Sequence, residues 1–95
     1  MLIPRKEVIK PSISMFYWIL IQMHWDDHAP PHFHAFYGDD EILINLKTLE
    51  ILEGKMLRRA VALVLEWASH HRDALIEDWN LCQIGQTPRK IAPLK

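Results

Sequence analysis

Three histidines fall within one short stretch, His28-Ala-Pro-Pro-His32-Phe-His34, and they are the side chains of this sequence best suited to chemistry. Imidazole changes its charge near neutral pH and is the commonest metal ligand in proteins. If the segment after the prolines is a strand, His32 and His34 leave the same face, because side chains alternate along a strand. Asp27 adds a carboxylate directly before His28. The cluster predicts where a functional site lies.

Two kinds of chemistry fit this cluster. In the first, His28, His32 and His34 bind a divalent metal such as zinc, and Asp27 is a fourth ligand or orients one imidazole. In the second, His32 and His34 transfer protons while an arginine such as Arg59 holds a phosphate or a developing anion, as in metal-free cleavage of RNA. A third interpretation has no catalysis, because His and Asp side chains also bond backbone groups and lock hairpin connections. The residues alone leave the three open.

Length and charge exclude several classes of protein. The chain of 95 residues has room for a single domain, and its hydrophobic content of 49% is that of a globular protein. A net charge of -1 argues against a protein that coats nucleic acid by bulk charge. The apolar run over 13–23 is too short to span a bilayer and no signal cleavage site follows it, so we expect no membrane segment. Because the lone Cys82 cannot close an internal disulfide, we expect a cytoplasmic protein.

The spacing of apolar residues predicts an α+β domain over residues 1–95. Residues 1–12 form an irregular extension, and residues 13–53 form an antiparallel meander of about four strands, at 13–25, 32–37, 42–46 and 49–53. After Gly54 the apolar period changes to three and four residues, which predicts one long helix over 55–84, with a kink near 69–71 as the alternative. Residues 86–95 form an extended tail that Ile91 and Leu94 anchor.

The remaining candidate residues have simpler interpretations. His71 lies on the apolar stripe of the helix and is interpreted as a core histidine, whereas His70 is predicted to be exposed and His24 is undecided. Cys82 is interpreted as a small buried hydrophobe. The tryptophans are mostly assigned to the core: Trp18, Trp25, Trp67 and Trp79. The segment 61–65 is apolar almost all round, which predicts burial by the sheet on one side and by a partner protein or a second copy on the other.

Several motifs together resemble a known family. They are Asp27-His28-Ala-Pro-Pro-His32-Phe-His34, Tyr37-Gly38, Glu53-Gly54, Arg58-Arg59, Glu66-Trp67-Ala68, His71-Arg72, Leu75 and Trp79. Over about residues 12–94 the sequence resembles the bacterial family named domain of unknown function 4160. The resemblance implies a small protein that is often encoded beside another small protein, in pairs similar to toxin–antitoxin modules. No established activity comes with the resemblance, and it assigns no catalytic role.

The leading expectation is therefore a component of a two-protein, toxin–antitoxin-like module that acts through protein–protein contacts. Its partner would be a small cognate protein encoded nearby or a second copy of the chain. One alternative is a His-centred enzyme, either a metal-dependent hydrolase or a metal-free ribonuclease with RNA as its partner. The other is a structural or adaptor domain without catalysis.

Overall fold

A five-stranded antiparallel sheet followed by two helices makes up the protein in a computed structural model that describes residues 10–95. The elements are β1 (Ser12–Phe16), β2 (Ile19–Gln22), β3 (His32–Tyr37), β4 (Asp40–Asn45), β5 (Ile51–Gly54), α1 (Arg58–His70) and α2 (Arg72–Gln83). The strands lie in chain order across the sheet, so the predicted α+β class and antiparallel meander are confirmed. The sheet has five strands rather than about four, and two helices replace the single long one.

The predicted single strand over 13–25 is wrong, because a two-residue turn divides it. Tyr17 and Trp18 have φ angles of 49° and 64°, and β1 and β2 pair as a hairpin with Phe16 opposite Ile19. Positive φ at both central residues is the mark of the type I′ turn, whose twist matches that of the flanking strands. Bulky aromatic residues rarely adopt this conformation. Because neither Gly nor Asn stands at the turn, the sequence does not indicate it.

The predicted single helix is also wrong, and the interruption falls where the kink was expected. His71 has φ −130° and ψ 28°, which takes the backbone out of the helical conformation between α1 and α2. The ring of His71 is half-buried against Trp67, with ring centroids 5.5 Å apart, whereas His70 is exposed. Within residues 10–95, neither helix is long and apolar enough to cross a membrane.

The core lies between the helices and one face of the sheet. Trp67 of α1 is fully buried at its centre, with its ring centroid 5.3 Å from that of Phe16 and 5.8 Å from that of Phe33. The other buried apolar residues of this layer include Ile13, Ile19, Ile21, Ala35, Ile42, Ile44, Ala60, Val64, Ala68, Leu75 and Cys82. We call the opposite side the open face of the sheet, because the helices cover the other one.

Not every predicted core residue is buried. Trp67 and Trp79 lie in the core, but Trp18 is 82% exposed because it occupies the β1–β2 turn, and Trp25 is also exposed. In the segment 61–65 only Val64 is fully buried, while Ala62 faces solvent. The all-round apolar pattern of this segment therefore corresponds to partial burial against the protein's own core.

The C-terminal tail is held along β1 and the helices. The backbone N–H of Ile91 donates to the carbonyl oxygen of Ile13 at 2.8 Å, and the backbone N–H of Arg89 donates to the Asp78 carboxylate at 2.8 Å. Asp78 is buried, and this burial raises the pKa of its carboxyl. The tail thereby covers part of the outer edge of β1.

Candidate metal centre

Three imidazole nitrogens face one carboxylate oxygen where the open face of the sheet meets α2, whose Trp79 has its ring centroid 5.4 Å from that of His32. The Oδ2 atom of Asp27 lies 2.9 Å from Nε2 of His32, 3.2 Å from Nε2 of His34 and 4.0 Å from Nδ1 of His24. His32 and His34 belong to β3 and are buried, whereas His24 and Asp27 lie between β2 and β3 and are half-buried. Imidazole nitrogens and a carboxylate oxygen, donor atoms that zinc accepts, are therefore clustered here.

The register of the sheet brings His24 to this point. Gln22 of β2 lies opposite His34 of β3, and directly opposed residues of antiparallel strands project from the same face. His24 follows two residues after Gln22, and its ring stacks on that of His34 with centroids 3.6 Å apart. The hairpin pairing of β2 and β3 thus places a third histidine beside the two that the strand spacing predicts.

The end of α2 fixes the segment that carries the carboxylate. The side-chain amide of Gln83 donates to the backbone oxygen of Asp27 at 2.8 Å. The backbone N–H of Asp26 donates to the carbonyl oxygen of Cys82 at 3.2 Å. Because these bonds hold two successive residues, the position of the Asp27 carboxylate is set by the helix as well as by the connecting loop.

Each of the three imidazoles is anchored to a fixed oxygen through its other ring nitrogen. The contacts are 2.7 Å from His32 Nδ1 to the Pro30 carbonyl, 2.9 Å from His34 Nδ1 to Glu41 Oε2 and 3.1 Å from His24 Nε2 to Gln22 Oε1. Carbonyl and carboxylate oxygens only accept hydrogen bonds, so each of these ring nitrogens donates in the tautomer that places the hydrogen on it. Metal-ligating histidines typically donate their second N–H to a carbonyl or carboxylate in this way.

The remaining nitrogens face a carboxylate. Nε2 of His32 and Nε2 of His34 lie 2.9 Å and 3.2 Å from Asp27 Oδ2, so these atoms need either a hydrogen or a metal cation between them. A divalent ion bound by Asp27 and His34 would supply that positive charge.

The electrostatics of His24 and Asp27 also suit a metal. Burial lowers the pKa of His24 to about 4, with contributions from His34 and Lys10, so the ring is neutral at neutral pH and has a free lone pair. Burial by itself raises the pKa of Asp27, but its contacts with His34 and His32 outweigh burial and the net shift is downward. His24, Asp27 and His34 each offer one ligand atom, and these atoms all lie within 4.8 Å of one another.

Of the four residues predicted as ligands, the structure brings together Asp27, His32 and His34, but not His28. The side chain of His28 is 93% exposed, and its Nδ1 lies 3.5 Å from Oδ1, the other carboxylate oxygen of Asp27. His24 takes the place that was predicted for His28. In the sequence, Gln22 and His24 are polar residues two positions apart at the end of an apolar run, so they share one face. This pattern indicates a role for His24 only once the pairing of β2 with β3 is known.

Arg59, predicted to hold an anion beside His32 and His34, lies elsewhere. It is exposed and lines a cavity with Tyr17, Tyr37 and other residues. Tyr37 has the same strand parity as the core residues of β3, so this cavity lies towards the helix-covered side of the sheet. The structure therefore does not assemble the predicted acid–base site with its arginine.

Comparison with known proteins identifies the family. The family model for a domain of unknown function, DUF4160, matches residues 19–80, which is well over half of the chain. The match includes His24, Asp27, His32 and His34. No curated protein and no solved structure matches the chain. The chain thus belongs to the domain of unknown function 4160 family.

Proposed function

We propose that the protein is a metal-dependent hydrolase that binds one divalent transition-metal ion, best matched by zinc, through His24, Asp27 and His34, with His32 in contact with the Asp27 carboxylate. The observation that carries the proposal is the orientation of the three rings. Each has one ring nitrogen beside an outer acceptor and turns its other nitrogen towards the same oxygen of Asp27. A zinc ion held there would supply a Lewis acid and lower the pKa of a bound water.

The charges around the site favour a cation over an anion. Asp27 and Glu41 are the charged groups that contact the imidazoles. Among residues 10–95, no lysine or arginine forms a hydrogen bond or ion pair with His24, Asp27, His32 or His34. Lys10 is close enough to lower the pKa of His24 but contacts none of these four side chains, so a phosphodiester such as RNA would meet two carboxylates and no cation in direct contact.

Zinc titration of the purified chain against a chromophoric chelator tests the proposal. We expect one zinc ion per chain, and we expect His24→Ala to lower the zinc affinity by about 100-fold or more, because it removes a ligand rather than an outer partner. His28→Ala, an exposed position in the same loop, is the matched control and should change the affinity less than twofold or so. A wild-type chain that retains no zinc, or an equal loss in both variants, would contradict the proposal.

A second function, association with a small cognate protein in a toxin–antitoxin-like module, is supported by exposed apolar side chains around the β1–β2 turn. Tyr17 is 53% exposed, Trp18 is 82% exposed and Leu57 at the start of α1 is 54% exposed. Exposed aromatic residues are enriched at protein interfaces. We place this module in the cytoplasm because the single thiol, Cys82, is free and buried.

Co-expression with the small protein encoded beside this chain, followed by sizing chromatography, tests the second function. We expect a heteromeric complex that Trp18→Ala weakens by about tenfold or more, as for an aromatic interface anchor. Ile84→Ala, which changes a residue that is 71% exposed near the end of α2, serves as the control. A chain that elutes alone, or forms only a complex with a second copy, excludes the cognate partner.

A further inference from the structure

A cavity of about 320 Å³ lies beside the candidate metal centre. The ring of His32 forms part of its wall, and Leu43 of β4 lines it as well. Leu43 lies directly opposite His34 in the pairing of β3 with β4, so both residues project from the open face of the sheet. The cavity therefore adjoins the metal centre, because His32 in its wall contacts Asp27 and Leu43 lies beside His34.

A β-bulge in β5 directs two successive side chains into this cavity. Leu43 pairs with Glu53 and Ile44 pairs with Ile51, so Leu52 is an extra residue in the ladder. Leu52 and Glu53 both line the cavity, although successive residues of a regular strand point to opposite faces. Bulges commonly re-aim a side chain beside a functional site.

The lining specifies the chemistry of a ligand. Leu43, Leu52 and Pro30 provide apolar surface, whereas the polar groups are His28 and Glu53, with the ring of His32 towards the metal centre. In the part of the chain that the structure describes, residues 10–95, no lysine or arginine lines the cavity. An apolar side chain fits this surface, and an ammonium group would pair with the Glu53 carboxylate, but a phosphate would have no cation to bind.

We propose that this cavity binds the apolar side chain of an amino-acid or peptide ligand whose carbonyl-type oxygen reaches the metal. The inference rests on the proposed metal-dependent function and names its substrate class: peptides or amino-acid amides with an apolar side chain and a free amine. It excludes phosphodiesters as the preferred ligands of the cavity.

Binding of hydroxamates to the zinc-loaded full chain, measured by calorimetry, tests this inference. Leucine hydroxamate carries a zinc-chelating group, an amine and an isobutyl side chain, whereas acetohydroxamate carries the same chelating group alone. We expect leucine hydroxamate to bind at least about tenfold more tightly, since the burial of an aliphatic side chain accounts for such a factor. Inorganic phosphate should bind more weakly than either hydroxamate.

Substitutions in β5 separate the cavity from the metal centre. Leu52→Trp fills the cavity. The variant should therefore bind leucine hydroxamate and acetohydroxamate about equally tightly, with its zinc affinity unchanged. Ile51→Trp, at a similarly exposed position of the same strand that does not line the cavity, should retain the preference. Glu53→Gln gives a second test without added bulk. It should weaken the binding of leucine hydroxamate but not that of 4-methylpentanohydroxamate, which lacks the amine.

Zinc stoichiometry and circular dichroism are measured first for every variant. A zinc-bound wild-type chain that binds both hydroxamates equally, or binds phosphate more tightly, overturns the inference and leaves the metal centre standing. The same holds if Leu52→Trp folds and keeps the full preference. A wild-type chain that binds no zinc overturns both the inference and the function on which it rests.

Discussion

Asp27→Asn is expected to lower zinc affinity by about 1000-fold or more, which is beyond the loss of 10- to 100-fold or so that follows from changing an outer partner of a ligand. The substitution keeps the size of the side chain but removes its negative charge at the oxygen that three imidazole nitrogens face. The bond from Gln83 reaches the backbone oxygen of Asp27, so the loop retains this support in the variant. Competition against a chelator of known affinity measures the loss.

Asp26→Asn is the matched control for this experiment. Asp26 is exposed and is tied to α2 through its backbone N–H, so its side chain should not affect zinc affinity. Thermal unfolding gives an independent measurement, because an ion that binds only the folded state raises stability by about 2.7 kcal/mol at 100 times its Kd. We expect this zinc-dependent gain in wild type and in Asp26→Asn. If it persists in Asp27→Asn, then Asp27 is not a ligand.

Trp67→Ala is expected to reduce the free energy of unfolding by about 3–5 kcal/mol, the usual loss when a large buried aromatic is truncated. Trp67 is fully buried against Phe16 and Phe33, and its Nε1–H donates to the carbonyl oxygen of Ala92 at 2.8 Å. The substitution therefore opens a cavity and also releases the tail from α1. Since small domains are stable by about 5–15 kcal/mol in total, this loss removes a large fraction of the stability.

Trp18→Ala is the control for the loss of Trp67. Trp18 is 82% exposed on the β1–β2 turn, so its truncation should change stability by about 0.5 kcal/mol or less. Urea denaturation followed by circular dichroism compares the two variants with wild type. Equal destabilisation by both substitutions would contradict the assignment of Trp67 to the centre of the core.

The sequence predicts an element well where local signals agree. The apolar alternation and the following Gly38-Asp39-Asp40 turn give β3 its bounds, which the structure reproduces at His32–Tyr37. The β1–β2 turn is not predictable in this way, because two bulky aromatics occupy positions where positive φ usually requires Gly or Asn. The break at His71 likewise occurs without Pro or Gly.

The candidate site is likewise predictable from the sequence only where its residues lie close together in the chain. Asp27, His32 and His34 can be identified from the sequence because they lie close together in it and the strand spacing aligns two of them. His24 requires the register of β2 against β3, and the support from Gln83 requires the packing of α2 against the loop. These are tertiary relationships between residues distant in the chain. His28 looked equivalent to the other histidines only because the sequence does not show the direction of its ring.

The bond between Ile91 and Ile13 leaves the sheet with two unequal borders. The border at β1 is partly occupied by the protein's own tail, whereas β5 at the other border is short, exposed and interrupted by a bulge. A chain that recruits neighbours by strand addition needs two available borders to polymerise. With one of them partly covered, the addition of further copies at that side is hindered, so this architecture disfavours fibrils.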